Sequence, residues 1–299
     1  MEPSNRKRES RERWLGLALI SPTMVLFLTL VAYPLAASIG FSLFSINTLT
    51  LQGRFVGFDN YTRLFGQAAF WTSFQNTLIW TVSAVSLQLL CGIGFALLLH
   101  RSFPGRSLAR GLVLFPYLLP TAVAILVWQW MFNDLYGIIN YGLLSAGLVS
   151  KPIAWLSHMP DAMVSIVLVG TWKLFPFVVI AVLARLQTIP EQLYEAARLD
   201  GAGVWARFWD ITLPQLRGVL VIVVLLRSIW DFKEFDLIYL MTGGGPAIGT
   251  QTLPLMVYKE AFPLLNLGRG AAVAVAMLVF MLAFFLLYFR TYGKEEEER

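Results

Sequence analysis

Several charged side chains of this 299-residue chain lie inside otherwise apolar stretches, where they are candidates for a functional site. They and their aromatic neighbours are Lys173 and Phe177 in one stretch, and Arg227, Trp230, Asp231 and Glu234 in another. The charges of the second stretch are spaced i, i+4 and i+7, so one helix would carry them on a single face. In hydrocarbon each such charge costs about 2.5–3.5 kcal/mol. They must therefore line a polar cavity, lie near the edge of the apolar layer, or pair with one another, and the spacing leaves these interpretations open.

Enzyme chemistry has little support in the sequence. The single cysteine is Cys91, and the two histidines, His100 and His158, are far apart. Neither a metal-ligand cluster nor a nucleophile–base pair is therefore indicated. The pattern Gly-x-x-x-x-Gly-Lys-[Ser/Thr], which cradles nucleotide phosphates, does not occur. We expect no metal or cofactor on this chain, and any ATP hydrolysis that drives it must belong to a separate polypeptide.

The elements that must position these residues are membrane helices. Hydrophobic residues make up 57% of the chain and charged residues 14%, with a mean hydropathy of +0.66, whereas soluble domains are about 45–50% apolar and about 25% charged. A membrane-spanning helix needs about 20 mostly apolar residues. Six stretches qualify, at residues 15–44, 77–99, 111–132, 163–183, 218–240 and 270–289. The chain is therefore predicted to be an all-α integral membrane protein with a transmembrane domain over residues 15–289.

The distribution of Lys and Arg predicts which side of the membrane each loop faces. Basic residues are concentrated in the tails at residues 1–14 and 290–299, in the loop after the second span, and in the loop 184–217. Because loops rich in Lys and Arg stay in the cytoplasm, both termini are predicted to be cytoplasmic. A basic start before an apolar run also suggests a signal peptide. This run is far longer than the apolar core of a signal, however, and that length favours a retained first helix.

The loop 184–217 contains a second candidate site. Pro190 stands where a helix can begin, Glu191 favours the N-terminal turn, and Gly201 or Gly203 would end the helix. Small residues at its centre would let another surface approach closely. The sequence thus predicts a short cytoplasmic helix, which either docks a partner or only ties two spans together at the membrane surface.

A family resemblance favours the docking interpretation. One pattern in the loop resembles the cytoplasmic signature of permease subunits of ATP-binding-cassette importers, with every fixed position at the right spacing. It is built from Glu195, Ala196, Ala197, Gly201, Ile211, Leu213 and Pro214. Residues 55–61, 235–246 and 252–254 are similar to the first permease subunit of maltose-type carbohydrate importers. The resemblance therefore covers nearly the whole chain.

The resemblance implies a six-helix permease of the type I importer fold in the bacterial inner membrane, forming half of a translocation pathway. It implies a second permease of similar fold, a dimer of separate ATPase subunits that bind the ATP, an extracytoplasmic solute-binding protein, the lipid bilayer and no nucleic acid as partners. The loop helix would enter a cleft on the ATPase. Its contact positions are Glu195, Ala196, Ala197, Asp200 and Gly201.

The resemblance also implies a carbohydrate substrate. In that family, stretches corresponding to those around Lys173 and Arg227 line the sugar site, where neutral polar and aromatic residues dominate. This chain departs from the neutral pattern through Lys173, Arg227, Asp231 and Glu234. The departure favours a sugar derivative whose anionic group is held by the Lys and Arg, with Phe177 and Trp230 stacked on apolar sugar faces.

Other classes of function have less support in the sequence. An ion-gradient-driven secondary transporter of a small polar solute has the charged fifth span in its favour. Such transporters usually show internal repeats, and no convincing repeat relates spans one to three to spans four to six. A membrane enzyme lacks the required catalytic groups, and a receptor would need a signalling domain for which the tails are too short.

Overall fold

A computed structural model describes the backbone of residues 3–292 and the side chains of residues 14–291. The elements in chain order are α1 (Pro3–Phe27), α2 (Tyr33–Ser42), β1 (Phe44–Ile46), β2 (Gly53–Phe55), α3 (Asp59–Phe65), α4 (Ala68–His100), α5 (Arg106–Leu118), α6 (Thr121–Met131), α7 (Ile138–Ser145), α8 (Asp161–Leu186), α9 (Glu191–Leu199), α10 (Val204–Arg207), α11 (Leu213–Phe232), α12 (Asp236–Thr242), α13 (Leu253–Ala261) and α14 (Leu267–Tyr292). Short π-helical segments, Leu28–Ala32 and Phe208–Thr212, join α1 to α2 and α10 to α11. The predicted C-terminal tail beyond residue 292 lies outside the described residues, as do the basic side chains of the predicted N-terminal tail.

Within the described residues, five continuous helical stretches are long and apolar enough to cross a membrane. They are Trp14–Ser42, Ala68–His100, Asp161–Leu186, Val204–Phe232 and Leu267–Thr291. A sixth candidate is the bent pair formed by α5 and α6. The helical architecture agrees with the prediction made from composition, because long apolar helices satisfy their own backbone groups in lipid.

The third predicted span, residues 111–132, is not one continuous helix. α5 ends at Leu118 and α6 begins at Thr121, with a bend of 95° between them. Pro120 has no N–H and disfavours helical backbone at Leu119, whose φ of −67° and ψ of 139° are extended. Hydropathy misses this break because the residues on both sides of it are apolar.

The fifth predicted span, residues 218–240, does not coincide with one helix either. α11 ends at Phe232, and α12 starts after a break. The Glu234 carboxylate accepts a hydrogen bond from a backbone N–H in the first turn of α12, so this residue caps the next helix instead of continuing the previous one. Glu234 therefore does not share a helical face with Arg227 and Asp231, contrary to the sequence prediction.

The described chain divides into two compact units. The first contains the residues up to 66 together with 257–277. In it β1 pairs with β2 in an antiparallel hairpin, and the Asn60 side-chain amide donates to the backbone oxygens of Ser42 and Phe44 at 2.8 and 2.9 Å. These bonds fasten α3 to the turn that follows α2.

The second unit contains residues 67–256 and those from 278 onward, and it includes all the candidate site residues. Its centre is the packing of α4 along α8. Gly92 makes close approach possible, because an added Cβ would stand 2.5 Å from the Val178 side chain. Gly170 faces the Trp80 ring so closely that an added Cβ would overlap it. These contacts bring polar side chains of α4 next to α11.

Candidate functional site

Arg227 and Asp231 form an ion pair within α11. The guanidinium Nη2 lies 2.5 Å from the carboxylate Oδ1, and the two side chains are 3% and 1% exposed. The Arg227 Nε also donates to the Gln88 side-chain oxygen at 2.7 Å, and the Trp80 indole donates to the backbone oxygen of Asp231 at 2.8 Å. We call Trp80, Gln88, Arg227 and Asp231 the buried charge cluster. The geometry follows the pairing interpretation of the sequence, since the two opposite charges bond to each other inside the chain. The second carboxylate oxygen of Asp231 is buried without a hydrogen-bond partner among the described residues.

Lys173 is buried in the middle of α8, with 6% of the residue exposed. Its ammonium group donates to the backbone oxygen of Leu119 at 2.7 Å. Leu119 is the first residue after α5, at the break between α5 and α6. The cation therefore lies against the carboxyl end of a helix, where the helix dipole favours a positive charge.

Aromatic rings from α8 and α11 meet beside the buried charge cluster. Phe177 and Trp230 are packed edge to face with centroids 5.0 Å apart, and the Arg227 guanidinium carbon lies 5.6 Å from the centre of the Trp230 ring. Both rings are partly buried. They form a firm apolar surface of the kind that can stack on a sugar ring.

The structure unites most of the predicted residues and adds others that the sequence did not reveal. Phe177, Trp230, Arg227 and Asp231 are linked through direct contacts. Lys173 instead bonds from α8 to the break between α5 and α6, and Glu234 lies at the break between α11 and α12. The additions are Trp80, Gln88 and the Leu119 carbonyl. The signal available for Trp80 and Gln88 was their spacing, because a separation of two turns places both side chains on one face of the uncharged span α4.

The loop 184–217 contains the predicted helix as α9, Glu191–Leu199, with Pro190 at its N-cap. Gly201 follows with φ of +79°, a conformation that favours glycine. The N–H of Ala202 donates to the oxygen of Ala197 at 2.8 Å, and the N–H of Gly201 donates to Arg198 at 3.1 Å. This pair of bonds is a Schellman motif. It ends the helix at Gly201, one of the two glycines at which the sequence predicted the helix end.

α9 is anchored at one side and free at the other. The Tyr194 hydroxyl lies 3.0 Å from the Thr212 hydroxyl near the start of α11, and Tyr194 packs against the apolar core. The predicted contact residues Glu195, Ala196, Asp200 and Gly201 are exposed, while Ala197 is half-buried. The same loop exposes large apolar side chains, among them Leu199, Val204 and Trp205. An exposed apolar patch of this kind indicates a partner surface.

These features are matched by known proteins. The model of a family described as "Binding-protein-dependent transport system inner membrane component" matches residues 88–292, which include α8, α9 and α11. This chain is a member of that family. It is accordingly a multi-pass inner-membrane permease, and members of the family act as transport components rather than as catalysts.

Two relatives resemble this permease over most of their length. It is 38% identical over 267 residues to the sulfoquinovosyl glycerol transport system permease protein SmoG of Agrobacterium fabrum, covering 89% of this chain and 86% of the relative. It is 36% identical over 273 residues to the trehalose/maltose transport system permease protein MalF of Thermococcus litoralis, covering 91% and 92%. Both relatives are thus permeases named for carbohydrate transport.

The fold of the permease also matches a solved structure. The crystal structure of a bacterial ABC transporter involved in the import of the acidic polysaccharide alginate contains a chain that superimposes with a TM-score of 0.84. The match covers 97% of this permease and 99% of that chain at 20% identity. The permease therefore has the type I ABC importer fold, as the sequence resemblance implied.

Proposed function

We propose that this permease forms half of the pathway by which an ATP-driven importer carries a carbohydrate into the cell. The observation that carries the proposal is α9, whose residues Glu195 and Ala196 are exposed while Tyr194 is anchored to Thr212 at the start of α11. A helix tied to a membrane helix in this way can transmit movement from a bound partner. The carbohydrate assignment is supported by the names of the two relatives and by the ring pair Phe177–Trp230.

The partners follow from this arrangement. A dimer of ATPase subunits binds the ATP and receives α9, where Glu195, Ala196, Ala197, Asp200 and Gly201 meet it. A second permease of similar fold completes the pathway, and an extracytoplasmic solute-binding protein delivers the substrate. Both termini and α9 face the cytoplasm, in keeping with the distribution of Lys and Arg. The permease itself holds no cofactor in this scheme.

The substrate contacts proposed from the sequence divide into two kinds. Phe177, Trp230 and Glu234 are only partly buried, so they can face a polar solute between α8 and the break after α11. Arg227 and Asp231 are buried and bond to each other, so their effect on the substrate is indirect. A neutral carbohydrate fits this arrangement.

An anionic sugar derivative is the second candidate. The favouring observation is Lys173, because its bond to Leu119 uses one of the three donors of an ammonium group. In an importer of a sulfonated or acidic sugar, the two remaining N–H donors of Lys173 would bind the anionic group of the substrate.

Uptake by the assembled importer in proteoliposomes tests the proposed function. Vesicles that contain this permease, its partner permease and the ATPase are loaded with ATP and given the solute-binding protein with labelled neutral or anionic sugars. Uptake that requires internal ATP is expected. Uptake that proceeds without ATP and follows an imposed proton or sodium gradient would instead favour a secondary transporter.

A further inference from the structure

The break between α5 and α6 accepts a hydrogen bond from a cation on another helix. The last carbonyl groups of a helix have no partner within that helix, and the 95° bend at Leu119–Pro120 leaves the end of α5 in this condition in the middle of a candidate span. The Lys173 ammonium of α8 donates to the Leu119 oxygen at 2.7 Å. Lys173 therefore ties α8 to the point at which the third span changes direction.

A second set of side-chain bonds joins α6 to α12. The Gln129 amide of α6 donates to the backbone oxygens of Leu240 and Met241, at 2.7 and 3.1 Å, in the last turn of α12. The first turn of α12 is capped by the Glu234 carboxylate. The first turn of α12 is thus bonded to Glu234, and its last turn is bonded to Gln129 of α6. A change in the direction of α6 would carry α12 with it.

Lys173 connects α8 to the first of the two breaks. Its ammonium donates to the Leu119 oxygen at that break. α12, which follows the second break, packs against both α6 and α8. α8 therefore packs beside both interrupted spans, and Lys173 is the α8 side chain that bonds to the break in the first of them.

We propose that Lys173 is a positioning residue that fixes the angle between α5 and α6 and, through Gln129, the placement of α12. The role differs from that of an anion ligand, because the lysine acts on the backbone at Leu119. Its consequence for transport rests on the proposed function, whereas its consequence for the angle does not. If the uptake assay fails, the proposed function is in doubt, but a measurement of the angle between α5 and α6 still decides whether Lys173 is a positioning residue.

Distance measurements between spin labels test the proposal directly. Labels are placed on exposed positions of α5 and α6 by the substitutions Leu112→Cys and Leu126→Cys, with Cys91→Ser removing the native thiol. The assembled importer is studied in lipid nanodiscs by pulsed electron resonance. The parent is expected to give a narrow distance distribution, Lys173→Arg to retain it, and Lys173→Met to broaden it and shift its mean. An unchanged distribution in Lys173→Met would overturn the proposal.

Two further variants separate positioning from a structural collapse. Where Lys173→Met does not assemble, Lys173→Gln keeps an N–H donor without the charge and is expected to broaden the distribution less. Gln129→Leu should broaden the distance between labels at Leu126 and Leu240 while the α5–α6 distance stays narrow. Unchanged distances in both of these variants would also overturn the proposal.

Transport by the same variants gives a readout that distinguishes the two roles of the lysine. A positioning residue predicts that Lys173→Met lowers the uptake of neutral and anionic sugars by the same factor, about tenfold or more, which corresponds to about 1.4 kcal/mol. Lys173→Arg is expected to restore most of the uptake. Loss confined to anionic sugars, with an unchanged α5–α6 distance, would assign the lysine to substrate binding instead.

Discussion

The charges of the buried charge cluster, Arg227 and Asp231, and those of α9 are both singled out by the sequence, and the structure uses them in opposite ways. In the cluster, Arg227 has both of its bonding partners, Asp231 and Gln88, within the chain. In α9 the signature residues Glu195 and Ala196 are exposed. A charge that is paired inside the chain makes the fold sensitive to the loss of its partner, whereas charges left exposed beside apolar side chains are available for recognition. The contrast separates the internally paired region from the proposed docking region.

Breaking the ion pair of the cluster should give the largest effect. Arg227→Met leaves the Asp231 carboxylate buried without its cation, and removal of one partner of a buried pair costs about 3–5 kcal/mol. We expect a marked fall in the thermal unfolding temperature of the importer in mild detergent, with little permease reaching the membrane.

The control for this variant is the double substitution Arg227→Met with Asp231→Leu. Replacement of a whole buried pair by apolar residues of similar volume is often neutral, so the double variant should recover much of the lost stability. The remaining deficit reflects the Gln88 oxygen, which loses the Arg227 donor. A double variant as unstable as the single one would show that the pair matters for reasons other than its charges.

The turn that ends α9 should give the next largest effect. Gly201 has φ of +79°, and a non-glycine residue in that conformation costs about 1–3 kcal/mol. Gly201→Asp is expected to distort the end of α9, abolish ATP-driven uptake and uncouple ATP hydrolysis from transport, while membrane insertion stays normal. The measurements are uptake in proteoliposomes and the amount of permease in the membrane.

Gly203→Ala is the matched control within the same loop. Gly203 has φ of −69°, and an added Cβ would meet nothing within 4 Å. Uptake by this variant is expected to equal that of the parent. Normal uptake by Gly201→Asp would count strongly against a docking role for α9.

The contrast between the two regions also explains what the sequence could and could not predict. The span of α9 and its terminating glycine are local features, so spacing and propensity found them. The spacing of Arg227 and Asp231 likewise predicted their pairing as one open interpretation. Gln88 lies 139 residues away from Arg227 in the chain, and no local pattern relates them. Their contact required the packing of α4 against α11.

The breaks in the third and fifth spans were missed for a related reason. Hydropathy averages over a window, and Pro120 stands between apolar neighbours that keep the average high. Membrane helices often tolerate proline, because neighbouring groups satisfy the freed carbonyls. Whether a proline is tolerated or breaks the helix depends on such neighbours. Here the neighbour is Lys173, which the sequence placed correctly in a span without revealing its acceptor.

The anchor of α9 should give a smaller effect than its terminating turn. Tyr194→Phe removes the hydroxyl that lies 3.0 Å from the Thr212 hydroxyl, and a hydrogen bond of this kind contributes about 0.5–1.5 kcal/mol. We expect faster hydrogen exchange in α9 with the remaining helices unchanged, and a partial loss of uptake. Unchanged exchange in α9 would mean that the ring packing alone anchors the helix.

The smallest expected effect concerns the exposed charge of α9. Glu195→Gln removes one carboxylate at the proposed ATPase contact, and an exposed ion pair contributes about 0.2–1 kcal/mol. We expect at most about a fivefold fall in ATP hydrolysis stimulated by the solute-binding protein, with a weaker dependence on salt because the charge is gone.

Glu191→Gln in the first turn of the same helix is the matched control. The Glu191 carboxylate interacts favourably with the helix dipole but is not part of the signature. This variant should affect the stability of α9 slightly while the salt dependence of stimulated hydrolysis stays that of the parent. Equal changes in salt dependence for both variants would indicate that the ATPase responds to the total charge of α9. A change confined to Glu195→Gln would place the contact at the exposed signature, because only that carboxylate would then interact with a charge outside the chain.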